Sequence, residues 1–257
     1  MLLDTIIDKY PSISLEEMDK VSLLKRVDTK YLVSIPNLLL FLETLTDTHK
    51  VLTINKKVYQ NYKTQYYDTA ELKMYLEHHN KKANRYKIRV REYIESHLFF
   101  LEIKHKSNKG KTIKKRIKLD SNKIENHVKA EKFIKKYSPF TLNQLSAILE
   151  NRFQRVTLVD RQLSERLTID IDLQAQDLNT SNKSVDWPNI AIIELKRDAN
   201  SVADTHKRLL DLRIKSTGFS KYAIASSILF HSKVKNNNFK KKHRMVDKLS
   251  SDKILIK

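Results

Sequence analysis

RYKIRVREYIESHLFFLEIKHKSNKGKTIKKRIKL, Arg85 to Leu119, is the stretch that decides the fold. RYKIRVREY, LFFLEIKHK and TIKKRIKL alternate with a two-residue period and are separated by the ESH and SNKG turns, which predicts a β-meander. Gly110-Lys111-Thr112 inside it has the ending of a phosphate-binding loop, G-x-x-x-x-G-K-[ST], which must open a helix. The position of the first glycine is His105, a strand follows Thr112, and the chain has only 2 glycines. The segment therefore reads as a hairpin, with GKT in its turn.

Side chains alternate across a strand, so residues two apart share a face. Lys87, Arg89 and Arg91 share one face of the first strand, Glu102, Lys104 and Lys106 one face of the second, and Lys114, Arg116 and Lys118 one face of the third. A solvated sheet face could carry this charge, but such faces usually mix signs, because like charges opposite one another destabilise a sheet. Here eight basic residues accompany a single acid. An anion that neutralises the face makes it tolerable, and closing the sheet would turn it into a Lys/Arg-lined tunnel able to grip polyphosphate through charge-assisted hydrogen bonds.

Outward from the meander, Ser14 and Glu17 form a capping-box start for a helix to about Arg26, with Val21 and Leu23 or Leu24 on its apolar stripe. Asp28–Ser34, Val51–Asn55 and Val58–Tyr67 read as strands, and the Pro36 segment and Ala70–His79 as helices. Residues 126–150 have helical spacing broken near Ser138-Pro139. Strands are expected at Arg152–Asp160, Leu167–Leu173 and Ile190–Arg197, and helices at Ser201–Arg213 and Ser220–His231. The expected class is α+β: an antiparallel eight-stranded β-barrel with helices packed outside. One domain is expected over residues 1–232, followed by a basic, weakly structured tail over 233–257.

Net charge is +20, and the tail holds nine Lys or Arg against two Asp. The field attracts polyanions: nucleic acid, polyphosphate, nucleotides or an acidic membrane surface, the last by docking through the tail. Nucleic-acid binding usually interleaves exposed aromatics with the cations, and the basic faces offer only Tyr93 and Phe100, so specific nucleic-acid binding is not expected. The absence of cysteine excludes disulfides and thiolate metal sites and fits a reducing compartment. With no secretory pattern in MLLDTIIDKY and no apolar run long enough to span a bilayer, a cytoplasmic location is expected.

Glu102 and Glu194 each precede a lysine by two residues on one face. Each pair is either a same-face ion pair or a place where a carboxylate shares Mn²⁺ or Mg²⁺ with phosphates. His78-His79 reads as surface polar sequence at a helix end, and His105 as a structural residue on the apolar face. Ser220-Lys221 opens the last helix, where Ser is either an ordinary cap or part of an anion site.

The ordered set RVDTKYL, YYDT, RYKIRVREY, FLEIKHK, KGKTIKKR, NRFQRVTL, RLTID, IIELK and GFSKY resembles the VTC domain, the polyphosphate polymerase domain of the triphosphate tunnel metalloenzyme (CYTH-like) superfamily, over about residues 20–230. The resemblance implies a tunnel of antiparallel strands holding ATP or another triphosphate, or inorganic polyphosphate, with Mn²⁺ or Mg²⁺. It implies transfer of the γ-phosphate of a nucleotide onto a polyphosphate chain; other branches hydrolyse triphosphates, and a non-catalytic polyphosphate or nucleic-acid binding protein is a third alternative. Carried over, the catalytic residues are Lys30, Arg89, Arg91, Lys104, Arg155, Arg166 and Lys221. Substrate binding falls to Lys106, Lys114, Arg116, Lys196 and Ser220. Glu194 is the metal carboxylate, with Glu102 as a second candidate.

Overall fold

The computed structural model describes residues 2–18, 26–180, 183–198 and 204–252. The chain opens with α1 (Leu2–Ile7), β1 (Ser12–Ile13), α2 (Leu15–Met18), β2 (Arg26–Ser34) and α3 (Ile35–Glu43). Then come β3 (His49–Leu52), β4 (Gln60–Asp68), α4 (Lys73–His79) and the meander β5 (Arg85–Tyr93), β6 (Leu98–Lys106) and β7 (Thr112–Leu119). After α5 (Val128–Tyr137) run β8 (Ser146–Asp160), β9 (Glu165–Asp177), β10 (Ser184–Trp187) and β11 (Ile190–Asp198), then α6 (Asp204–Asp211), α7 (Lys221–Leu229) and α8 (Lys240–Ser250).

An eight-strand path, β2-β11-β9-β8-β4-β5-β6-β7, forms the antiparallel wall expected from the sequence, with β1, β3 and β10 added at its margins. Closure differs from expectation: among the described residues β7 and β2 are not paired, so the wall is an open, curled trough rather than a sealed barrel. The reason lies at the edge of β2. Ser216 bridges Tyr31, and the Thr217 amide donates to the Lys30 carbonyl at 2.7 Å, so the segment leading into α7 occupies hydrogen-bonding positions that a closing strand would use. The trough still curls strongly, since Lys104 of β6 feels the charges of Lys30 and Asp28 on β2.

Two apolar clusters coat the outside. Phe41 and Leu42 of α3 and Leu209 of α6 pack with Val33, Ile193 and Leu167. Phe133 and Ile134 of α5 pack with Ile88, Val90 and Ile103 on the outer face of the meander. Helix α7 behaves differently: seven of its nine residues are buried, leaving no polar face, as expected of a helix enclosed on all sides. Its Tyr222 joins a cluster with Tyr66, Phe153, Leu32 and Ile192, residues of the concave side, so α7 plugs one end of the trough.

Several local expectations are corrected. Residues 146–150, read as helix, are the start of the 15-residue strand β8, which pairs with β4 on one side and β9 on the other; that pairing overrides local spacing. The Ser14–Glu17 capping box is present, with the Ser14 amide donating to Glu17 Oε2 at 2.9 Å, but Val21, Leu23 and Leu24 lie outside the described residues, as do residues 201–203 of the Ser201–Arg213 helix. Within the segment read as a weakly structured tail, α8 is a helix docked through buried Val246, and Asn189 Nδ2 donates to the Ser250 carbonyl at 3.0 Å. No helix among the described residues is long and apolar enough to cross a membrane.

Candidate phosphate-binding trough

Register places one set of side chains on the concave face. Lys30 pairs with Glu194, Glu194 with Thr168, Asp170 with Arg155, Tyr66 with Arg89, and Arg89 with Glu102. On this face three carboxylates are each bracketed by two cations. Glu102 accepts from Arg89 Nε at 2.7 Å, and Lys114 Nζ lies 2.6 Å from its other oxygen. Asp170 accepts both arms of Arg155, at 2.6 and 2.9 Å, and the ammonium of Lys221. Glu194 accepts from Lys196 at 2.8 Å and from Lys30. Each cluster keeps a net positive charge.

Burial would push all three carboxyls up, but their cations outweigh it. Arg89, Arg91 and Lys114 hold Glu102 well below the usual carboxylate range. Arg155 and Lys221 do the same for Asp170, and Lys196 and Lys30 for Glu194. The cations respond in turn: despite burial, Arg89 is held protonated by Glu102 and Arg155 by Asp170.

Cations outnumber these acids. Lys87 donates to Ser220 Oγ at 2.8 Å, and burial, reinforced by Lys104, Arg85 and Arg89, brings its pKa down to about 7. Arg91, 9% exposed, makes a 3.4 Å hydrogen bond from its Nε to Thr64 Oγ1 and lies 5.5 Å from the Tyr62 ring, with no carboxylate at ion-pair distance among the described residues. Ser220 is also the cap of α7, accepting from the Ala223 amide at 3.3 Å. Lysine 221, next in the chain, thereby enters the trough at the helix N-terminus, its ammonium 4.2 Å from the Phe153 ring centroid.

Of the residues expected from the sequence, Lys30, Arg89, Arg91, Lys104, Lys114, Arg155, Arg166, Lys196, Ser220, Lys221, Glu102 and Glu194 converge on this face. Arg166 pairs with Lys196 in register. Lys106 and Arg116 also lie on it, but at the exposed β6–β7 margin, where Arg116 rests 4.9 Å from the Phe100 ring centroid. Asp170 and Lys87 are additional members of the site. Both stood in the alternating pattern, Asp170 at two-residue spacing from Thr168 and Arg166, yet nothing in sequence spacing reveals that β8 and α7 deliver its two cations. The face is also richer in aromatics than the meander alone suggests: Tyr62, Tyr66, Phe153 and Tyr222 line it from β4, β8 and α7. The His78-His79 pair is not surface sequence. His79 is 2% exposed and packs edge-on against Phe239 at 5.3 Å, and burial makes His78 a far weaker base than a free histidine.

Among the described residues no three His, Asp or Glu side chains gather into a metal cage. Hard divalent ions bound together with phosphates need only one or two protein carboxylates, a requirement that Glu194 or Glu102 meets once a lysine yields its oxygen.

No curated protein matches the chain. Among solved structures it is similar to a candidate adenylate cyclase from Vibrio parahaemolyticus, with 12% identity and a TM-score of 0.46 over 79% of this chain and 98% of that one. It is also similar to a candidate adenylyl cyclase from Hippeastrum described as having a dominant triphosphatase activity, with 14% identity and a TM-score of 0.45 over 79% of this chain and 95% of that one. The family model of the VTC domain matches residues 25–230, and on that match, which spans most of the sequence, the chain belongs to the VTC domain family.

Proposed function

We propose that this protein is a metal-dependent phosphotransferase that moves the γ-phosphate of ATP or another nucleoside triphosphate onto a polyphosphate chain lying in the trough. The observation that carries the proposal is the set of three carboxylates, each between two cations, on a face that also holds the partly unneutralised Lys87 and Arg91. Membership of the VTC family supports polymer synthesis as the reaction.

Phosphoryl transfer asks a protein for positioning and charge neutralisation more than covalent chemistry. Arg89 and Arg155 have guanidinium donors beyond those their carboxylates use, and these suit phosphate oxygens. Lys30, Lys196 and Lys221 have three donors each and can move from carboxylate to phosphate. A terminal oxygen of the acceptor chain attacks the γ-phosphorus, the bond to the β,γ-bridging oxygen breaks, and a nucleoside diphosphate leaves. Mn²⁺ or Mg²⁺, held by Glu194 or Glu102 together with the phosphates, would add charge neutralisation when bound. Hydrolysis is the second reading, favoured by the exposed β7 margin, which admits water as the acceptor.

Purified protein incubated with ATP and Mn²⁺ is expected to produce long-chain polyphosphate on a gel. Orthophosphate without polymer would transfer the assignment to hydrolysis, and tight polyphosphate binding without turnover would leave a binder. Glu194→Gln is expected to abolish the dependence on Mn²⁺; unchanged dependence removes Glu194 from the metal role.

A further inference from the structure

The row that crosses the trough beside α7 has no carboxylate. Phe100 pairs with Arg91, Arg91 with Thr64, and Thr64 with Asn151, so in register all four side chains share the concave face. Asn151 is 1% exposed, and among the described residues neither its Oδ1 nor its Nδ2 has a hydrogen-bond partner. Its neighbours on the same face of β8 are the apolar Leu149 and Phe153, and across β9 stands Ala175. A buried amide with both ends unpaired is costly and rare in folded proteins, and it calls for an explanation beyond packing.

Arg91 supplies one. It is a buried guanidinium with no carboxylate at ion-pair distance among the described residues, whereas Arg89 and Arg155 each have one. A carboxylate in place of Asn151 would add a competing negative charge to this row. The amide adds none and offers two N–H donors on the far side of Thr64 from a guanidinium that has no ion-pair partner of its own among the described residues. We infer that Asn151, Arg91 and Thr64 form the seat of one terminal phosphate group at the plugged end of the trough. The inference rests on the proposed function and specifies which end of the phosphate chain is held, and by what. Asn151 was not apparent from the sequence, where it is one polar residue before an arginine-containing strand.

The test is calorimetric titration of the full chain with inorganic tripolyphosphate, alongside thermal unfolding. Asn151→Ala is expected to weaken binding about tenfold, a typical loss for one hydrogen bond to a charged group. Its melting temperature should be unchanged or higher, because the variant removes a polar group that has no partner. Asn151→Asp should weaken binding about 100-fold, since the new carboxylate takes the Arg91 charge and repels the ligand. An Asn151→Ala protein that fails to fold, or that melts lower and binds as wild type, makes the residue structural and overturns the inference. Equal affinity in the wild type and both variants also overturns it, while leaving the trough as the phosphate site. Wild-type protein that does not bind tripolyphosphate refutes the phosphate-trough function itself.

Discussion

The two walls of the trough carry similar charges but hold them differently. On the wall formed by β8, β9, β11 and α7, Asp170 is 3% exposed and Lys196 8%. Arginine 155 and Lys221 are tied to the same carboxylate. On the β6–β7 wall, Lys104, Lys106, Arg116 and Lys118 are exposed, and Lys114, although paired with Glu102, has 44% of its side chain accessible. One wall is a preorganised grip, its cations aimed before any anion arrives. The other is a set of exposed, long cationic side chains with room to turn toward an anion. Under the proposed function, a trough that feeds a growing chain would use both properties.

The comparison breaks most visibly at Asp170. Replacing it with Ala leaves Arg155 and Lys221 buried without their counter-charge, a change that costs about 3–5 kcal/mol when one partner of a buried pair is removed. The melting temperature should fall accordingly. Glu102→Ala should cost less, because Lys114 can turn to water; equal losses would mean that the two walls do not differ as described.

Acid probes the same clusters together. Glu102, Asp170 and Glu194 have folded pKa values held below their unfolded values. Their contribution to stability is therefore complete above about pH 4, the unfolded range. It is lost as the pH falls from there toward the folded values. Denaturant melts from pH 6 downward should show a steep loss starting near pH 4, and a flat profile would contradict the paired state of the carboxyls.

Lys87 gives a smaller effect of opposite sign. Its folded pKa of about 7 lies below the ordinary lysine value, so unliganded stability should rise as the pH climbs from 7 towards 10. A bound polyanion favours the ammonium, so tripolyphosphate should bind with proton uptake at Lys87 and lose affinity between pH 7 and 9 as that charge is lost. Lys87→Ala should flatten that profile. The smallest effect belongs to the open margin: Lys118→Ala should leave the melting temperature unchanged within error and weaken polyphosphate binding only at low salt.

Why one wall was readable in the sequence and the other only in part follows from the same difference. The meander is local: consecutive strands, short turns and strict alternation put Arg89, Glu102 and Lys114 on one face before any tertiary information. Gly110, at φ 74°, occupies the turn of the hairpin, where the left-handed conformation suits glycine, which settles the reading of GKT. The opposite wall is assembled from strands far apart in the chain. Lys30 and Glu194 are 164 residues apart, and Lys221 and Asp170 51 apart, so the double bracketing of Asp170 and Glu194 comes from topology. The helical spacing of residues 146–150 misled for a related reason, since β8 is fixed by partners on both sides. Family motifs supplied Arg155 and Arg166, but they identified neither Asp170 nor the unpaired amide of Asn151.

Phosphate binding on the concave basic face underlies the proposed function. Calorimetric titration of tripolyphosphate into wild type, Arg89→Ala, Lys104→Ala and the double variant tests it most directly. Each single loss should weaken binding by about 10-fold or more, the range of a charge-assisted hydrogen bond, and the double variant should bind too weakly to measure. Unchanged affinity in all of the variants would mean that phosphate binds elsewhere and that this face is not the site.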